Sequence, residues 1–329
     1  MSKIIWGIIV SFAFTVAIMP LFIKLMRKFS FSQTILKYVE EHKTKQGTPT
    51  MGGVVFMLAT LVVASCFIKI NKAWIVVVMV GLGFGLIGGL DDFLKIKYKR
   101  NLGLRPYQKI IGQLGIATIF AFYIYNNVGT SIIIPFFNKG INLGVFVIPF
   151  IILVCIATTN AVNLTDGLDG LAGGVSAIVC FVTIIIFSII SKNMFDSGES
   201  AKILQNYKDI TVLLAIFMGS ILGFLIYNTN KASIFMGDVG SLGIGGLLSA
   251  SYSYFGLELS LLIVGICYVI SALSVIIQVL VYKKSKKRVF KMAPIHHHFQ
   301  QSGFSEAKIG FAYNMLTLIM GFFLILSYI

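Results

Sequence analysis

Ten stretches of this chain are each apolar for roughly the length a helix needs to cross a hydrocarbon core, about 20 residues. They lie near 4–25, 51–70, 73–92, 109–126, 144–160, 170–190, 210–227, 239–256, 259–281 and 308–328. Such a chain has little choice of architecture, because backbone polar groups inside lipid must be satisfied within the spanning segment. The expectation is an all-α polytopic membrane protein of ten transmembrane helices, forming one domain over residues 1–329. Asn71-Lys72 alone separates the second and third runs, which reads as a tight helical hairpin. The run from Ile4 ends in no small-residue cleavage site, so it reads as a first membrane helix rather than a removable signal. No linker, low-complexity segment or internal repeat divides the chain.

The formal charge of +15 would suggest a nucleic-acid partner in a soluble protein. Here hydrophobic residues make up 57% of the chain, and no aromatic-interleaved basic face accompanies the charge, so nucleic acid is excluded. Most Lys and Arg instead follow spans one, three, five, seven and nine, from Lys24, Arg27 and Lys28 to the run Lys283–Lys291. Those loops are therefore read as cytoplasmic, and an even number of spans puts both termini on the outer side. Residues 130–143 carry two short β-prone runs around Asn138-Lys139-Gly140, a possible small outer hairpin. Residues 191–209 read as a polar outer loop with at most one helical turn. Cys66, Cys155, Cys180 and Cys267 fall inside apolar runs without CxxC spacing, and read as buried free thiols.

The carboxylates carry the functional signal. Asp91, Asp92, Asp166, Asp169 and Asp238 all fall at ends of apolar runs on the side that collects cations, whereas Asp196 and Asp209 are assigned to an outer loop. Balancing basic loops would not require acids flanked by Gly, Leu, Phe and Met. Asp91 and Asp92 are adjacent and repel, so their site must supply cations, hydrogen bonds or a shifted pKa. Lys95 follows one turn later.

Three further clusters share that side. Asn160–Gly170 reads as a polar loop in which Asp166 and Asp169 share a face if it coils. An N-cap role for Thr165 or Asp166 explains one polar residue but not the whole group. Asp238, between Gly237 and a Gly-Ser pair, suits either a helix cap or a ligand of Mg²⁺, which takes few carboxylates and is completed by substrate phosphates. Phe235 is either buried or stacked on a planar ring. In the first loop, Lys43–Gly53 offers lysines for phosphate oxygens on a Gly-Pro turn, but lacks the order of a P-loop. Finally, His296, His297 and His298 are adjacent, which disfavours convergence on one zinc ion and favours hydrogen bonding or proton exchange with an anionic substrate. His42 reads as an exposed loop residue.

DDFLK at 91–95, NAVNLTDGLDGL at 160–171, FMGD at 235–238, KQGTPTMGG at 45–53 and above all MAPIHHHF at 292–299 together resemble the phospho-N-acetylmuramoyl-pentapeptide transferase family, within the polyprenyl-phosphate N-acetylhexosamine 1-phosphate transferase superfamily. The ordered set covers nearly the whole chain. The resemblance implies a multi-pass protein of the bacterial plasma membrane with its active site on the cytoplasmic face. It would use Mg²⁺ to pass phospho-MurNAc-pentapeptide from UDP-MurNAc-pentapeptide to undecaprenyl phosphate in the bilayer, giving lipid I and UMP, and it would pair as a homodimer. It further implies that Asp238 holds Mg²⁺, that Asp91 is the base and that Asp92 supports the metal or the geometry. His297 would join these catalytic groups. Lys45, Thr50 and Lys95 would contact phosphates, Asn163, Asp166, Asp169, Asn228 and Phe235 the uridine-diphosphate portion, and His296 and His298 the pocket. Direct attack by the lipid phosphate is preferred to a covalent aspartyl intermediate. The nearest rival, a GlcNAc-1-phosphate transferase, is disfavoured by MAPIHHHF. A proton-coupled transporter is disfavoured because the span centres stay apolar.

Overall fold

The computed structural model describes residues 2–29, 47–98, 103–137, 139–229 and 231–329. The elements in chain order are α1 (Ser2–Lys28), α2 (Gly53–Phe67), α3 (Lys72–Lys97), α4 (Pro106–Asn127), β1 (Ser131–Ile134), β2 (Lys139–Asn142), α5 (Val147–Thr165) and α6 (Leu171–Asp196). They continue with α7 (Ala201–Asn228), α8 (Gly237–Ser253), α9 (Glu258–Val264), α10 (Ile266–Ser285), α11 (Ile295–Gln300) and α12 (Glu306–Ile325). Among the described residues, seven helices are long and apolar enough to cross a membrane: α1, α3, α5 with its leading 3-10 turn, α6, α7, α10 and α12. Of the other expected spans, α2 and α8 form helices of 15 and 17 residues, and α4 is long but less apolar.

The bundle is built around α8, which is buried along almost its whole length and packs against α3, α5 and α2. α7 pairs with α1, α6 and α2. Many outward-facing residues are apolar, for example Leu86, Leu153, Leu280 and Phe311. A lipid-facing surface has that character, since lipid exacts no cost for exposed apolar side chains.

The structure alters several boundaries. α3 runs on to Lys97, so Asp91 and Asp92 sit inside a helix rather than at its end. α5 continues to Thr165, so Asn160 and Asn163 are on its last turns and only 166–170 form the connection. The supposed loop 191–209 is largely helical, interrupted only around 197–200, where Ser200 caps α7. Asp209 therefore belongs to α7. It is buried because Asn71 and Gln205 donate to its two oxygens at 2.9 and 2.7 Å. The ninth expected span is two helices broken at Gly265. β1 and β2 pair antiparallel with Ser131 opposite Asn142, and Ile133 N donates to Gly256 O at 2.7 Å. Cys155, Cys180 and Cys267 are buried, but Cys66 is exposed on α2; all four are free.

Candidate active site

The site begins where α3 meets the start of α8. A Cβ on Gly88 would fall 2.1 Å from the Asp238 carbonyl oxygen, so only glycine lets the two backbones approach this closely. One turn further along α3, Asp91 and Asp92 are 3% and 4% exposed, values that demand partners for both charges. Lys95 supplies the first. Being three and four residues on, it lies on the same helix face, with Nζ 2.6 Å from Asp91 Oδ2 and 3.8 Å from Asp92 Oδ1. Backbone donors supply the rest: Leu104 N reaches Asp91 Oδ1 at 2.8 Å, and Val239 N reaches Asp92 Oδ2 at 3.1 Å. Asp92 thus ties α3 to the first turn of α8, where free N–H groups favour an anion.

Asp238 enters from that first turn, which Gly237 starts with φ +75°. Its Oδ2 accepts from Lys95 Nζ at 3.1 Å and from Lys109 Nζ at 2.9 Å. Asn163 Nδ2 donates to Asp238 Oδ1 and to Ser241 Oγ, both at 2.8 Å. Four helices, α3, α4, α5 and α8, therefore meet at one carboxylate. Oxygens of Asp91, Asp92 and Asp238 lie within 4.8 Å of one another. Three acids and two lysines leave a formal excess of negative charge, which a divalent cation would offset. An all-oxygen donor set suits a hard ion such as Mg²⁺, which accepts one or two carboxylates and completes its shell with water and phosphate.

The first-loop segment closes the same corner. Phe235 N donates to Pro49 O, Gly52 N to Phe235 O and Gly53 N to Met236 O, at 2.8–2.9 Å, while Met51 takes φ +68°. Thr50 is buried there, its Oγ1 3.1 Å from where a Gly237 Cβ would stand.

The 166–170 connection forms the adjoining wall. Asp166 is half-buried, and burial with the Asp238 and Asp169 carboxylates pushes its carboxyl up to about 7. Asp169 Oδ2 accepts from Ala232 N at 3.0 Å, and Gly170 N donates to Asn228 Oδ1 at 3.0 Å. Asn228 also donates to Ile234 O, so these two residues fasten the connection to the α7–α8 turn. The histidines of α11 lie over it. A Cβ on Gly167 would fall 2.2 Å from His296 Nε2 and 2.9 Å from His297 Nε2. His297 Nδ1 is 3.0 Å from Gln300 Oε1, and His298 Nδ1 accepts from Lys291 N at 3.1 Å.

His296 is fully buried, near Tyr313, and burial with the neighbouring His297 lowers its pKa to about 3. Unfolded, the ring would titrate near its ordinary 6.5, so the fold excludes a proton between those values. Its contribution to stability is complete above pH 6.5 and is lost as pH falls toward 3. His296→Asn is expected to flatten the acid side of a plot of Tm against pH in detergent. An unchanged slope would contradict the desolvated ring.

The structure thus gathers Asp91, Asp92, Lys95, Asn163 and Asp238 at one point, with Thr50, Asp166, Phe235, His296 and His297 on the adjoining segments. Asp169, Asn228 and His298 hold loops together. Lys45 and His42 lie outside the described residues. Sequence reasoning missed Lys109 and Ser241. Lys109 falls among the basic residues after the third apolar run, which topology explains, although a lysine one turn inside an apolar helix is itself a signal.

Comparison with known proteins agrees with this geometry. The profile of Glycosyl transferase family 4 matches residues 74–256, the stretch containing all three acids and both lysines. Signature 1 of phospho-N-acetylmuramoyl-pentapeptide-transferase matches residues 45–57, which include the turn packed on Phe235 and Met236. A phospho-N-acetylmuramoyl-pentapeptide-transferase of Clostridium kluyveri is 44% identical over 324 residues, covering 97% of this chain and 98% of that protein. One from a Thermoanaerobacter species is 44% identical over 323 residues, with 98% of each covered. Motifs, site and full-length similarity converge, and the chain belongs to the phospho-N-acetylmuramoyl-pentapeptide-transferase family.

Proposed function

We propose that the chain transfers phospho-MurNAc-pentapeptide from its UDP carrier to undecaprenyl phosphate, releasing UMP and forming lipid I. The observation that carries this reading is the oxygen-only triad Asp91–Asp92–Asp238 gripped by Lys95 and Lys109 at the ends of apolar helices. A lipid substrate needs a membrane-facing site, a nucleotide needs an aqueous one, and two phosphate-bearing substrates need cations where they meet. In phosphoryl transfer the protein mainly positions groups and neutralises charge.

Each acid accepts one backbone N–H, Asp91 from Leu104 and Asp92 from Val239, and the choice of Asp91 as the base toward the lipid phosphate follows the family resemblance. Lys95, the partner of Asp91, already reaches all three carboxylates and would also reach a phosphate bound beside them. Asp238, with Asp92 beside it, would hold Mg²⁺, whose charge would be shared by the diphosphate oxygens. Lys109 and Lys95 would then face those oxygens. Lys109→Met is expected to lower kcat about 10²-fold with a smaller change in KM, read by steady-state assay with a labelled UDP-sugar.

The membrane layout belongs to this proposal. Added to the seven long apolar helices, α2, α4 and α8 would complete ten crossings, placing the site on the cytoplasmic face and both termini outside. Labelling of single introduced cysteines by an impermeant reagent tests it. The strand pair would then lie on the outer surface. A homodimer is proposed from the resemblance alone, and light scattering in detergent tests it.

The deciding experiment supplies purified protein with undecaprenyl phosphate, Mg²⁺ and either UDP-MurNAc-pentapeptide or UDP-GlcNAc. Lipid-linked product from the first alone is expected, and loss of turnover with EDTA. Product from UDP-GlcNAc alone would overturn the assignment.

A further inference from the structure

Asp238 is reached from two sides by groups on different helices, Lys109 on α4 and Asn163 on α5. One turn further into the bundle, each helix carries another polar side chain on the same face: Gln113, four residues after Lys109, and Asn160, three before Asn163. These two meet. Asn160 Nδ2 donates to Gln113 Oε1 at 2.8 Å, and Gln113 Nε2 points back to Asn160 Oδ1 at 3.5 Å. Gln113 is fully buried, and Asn160 also donates to Ile156 O at 2.8 Å.

We infer that the Gln113–Asn160 amide pair is a positioning device that fixes α4 against α5, so that Lys109 and Asn163 hold the two oxygens of Asp238 in a set orientation. An apolar pair would hold the helices together equally well but would not define their relative height. Reciprocal amides do, because sliding one helix by a residue's rise of about 1.5 Å breaks both bonds. The amides bond to each other and to Ile156 O rather than to Asp238, so the pair acts through Lys109 and Asn163. This inference rests on the proposed role of Asp238 as a ligand of the divalent ion.

The test compares the full-length protein with Gln113→Leu, Asn160→Leu, the double variant and the exchanged pair Gln113→Asn/Asn160→Gln. Mn²⁺ binding is followed by electron paramagnetic resonance, alongside kcat, KM and Tm. Each single variant is expected to weaken Mn²⁺ binding and lower kcat about tenfold, with KM for the UDP-sugar within about twofold and Tm nearly unchanged. The double variant is expected to be no worse than either single, and the exchanged pair to recover most of the loss. Singles that match the wild type in Mn²⁺ affinity and kcat would overturn the inference, as would losses that track Tm. A wild type that transfers no phospho-sugar would overturn the functional reading, and this inference with it.

Discussion

Asp238→Asn is expected to lower kcat by at least about 10³-fold while leaving the protein folded in detergent. The substitution keeps the side chain's shape, and an amide oxygen still accepts from Asn163. What it removes is the charge on which Lys95 and Lys109 converge at 3.1 and 2.9 Å. Two half-buried lysines then share one fewer acid, and the oxygen set loses its principal candidate ligand for Mg²⁺. Steady-state kinetics and Mn²⁺ binding on the same preparation separate this from unfolding. A variant that kept its activity and its dependence on Mg²⁺ would exclude Asp238 from the metal site.

Gly88→Ala tests the scaffold rather than the chemistry. Its Cβ would meet the Asp238 carbonyl oxygen at 2.1 Å and carbonyl carbon at 2.3 Å, and neither backbone atom can swing aside as a side chain would. α3 and α8 must separate, at a cost of about 1–3 kcal/mol, and Asp91 and Asp238 move apart with them. A drop in Tm together with loss of most activity is expected. The adjacent Gly89→Ala is the control, because its Cβ meets only the Val239 side chain, at an ordinary 3.6 and 3.8 Å. Equal behaviour of the two variants would contradict the packing of α3 on α8.

The apolar runs and their polar ends were legible because lipid leaves a chain few ways to satisfy its backbone. Asp91, Asp92 and Asp238 stood out for the same reason: an acid flanked by Gly, Leu and Met has no bland use there. Other features were hidden. Gly265 lies in an unbroken apolar run, and nothing local distinguishes a glycine that breaks a helix from one that packs inside it. Asp209 looked like a loop residue because half of its compensation comes from Asn71, far away in sequence, and the rest from Gln205 only once the segment is helical. Asp169 and Asn228 suggested ligand contacts, and the sequence does not show that each also holds a backbone group, Asp169 that of Ala232 and Asn228 those of Gly170 and Ile234. Lys109 was obscured by the surrounding cations, whose placement topology already explained.

The meeting of four helices at Asp238 also bears on biosynthesis. Lys95 and Asp238 are 143 positions apart, so a growing chain has finished α3, α4 and α5 long before α8 appears. Until then Asp91 and Asp92 share Lys95, while Lys109 and Asn163 have nothing to grip. Nascent chains arrested before α8 would carry an uncompensated polar seam that invites water or quality-control proteases. Insertion of α8, itself almost wholly buried, fills the bundle and gives Lys109 and Asn163 the carboxylate they share. The acid triad would then close only as α8 inserts, before α11 brings His296 and His297 to the adjoining wall.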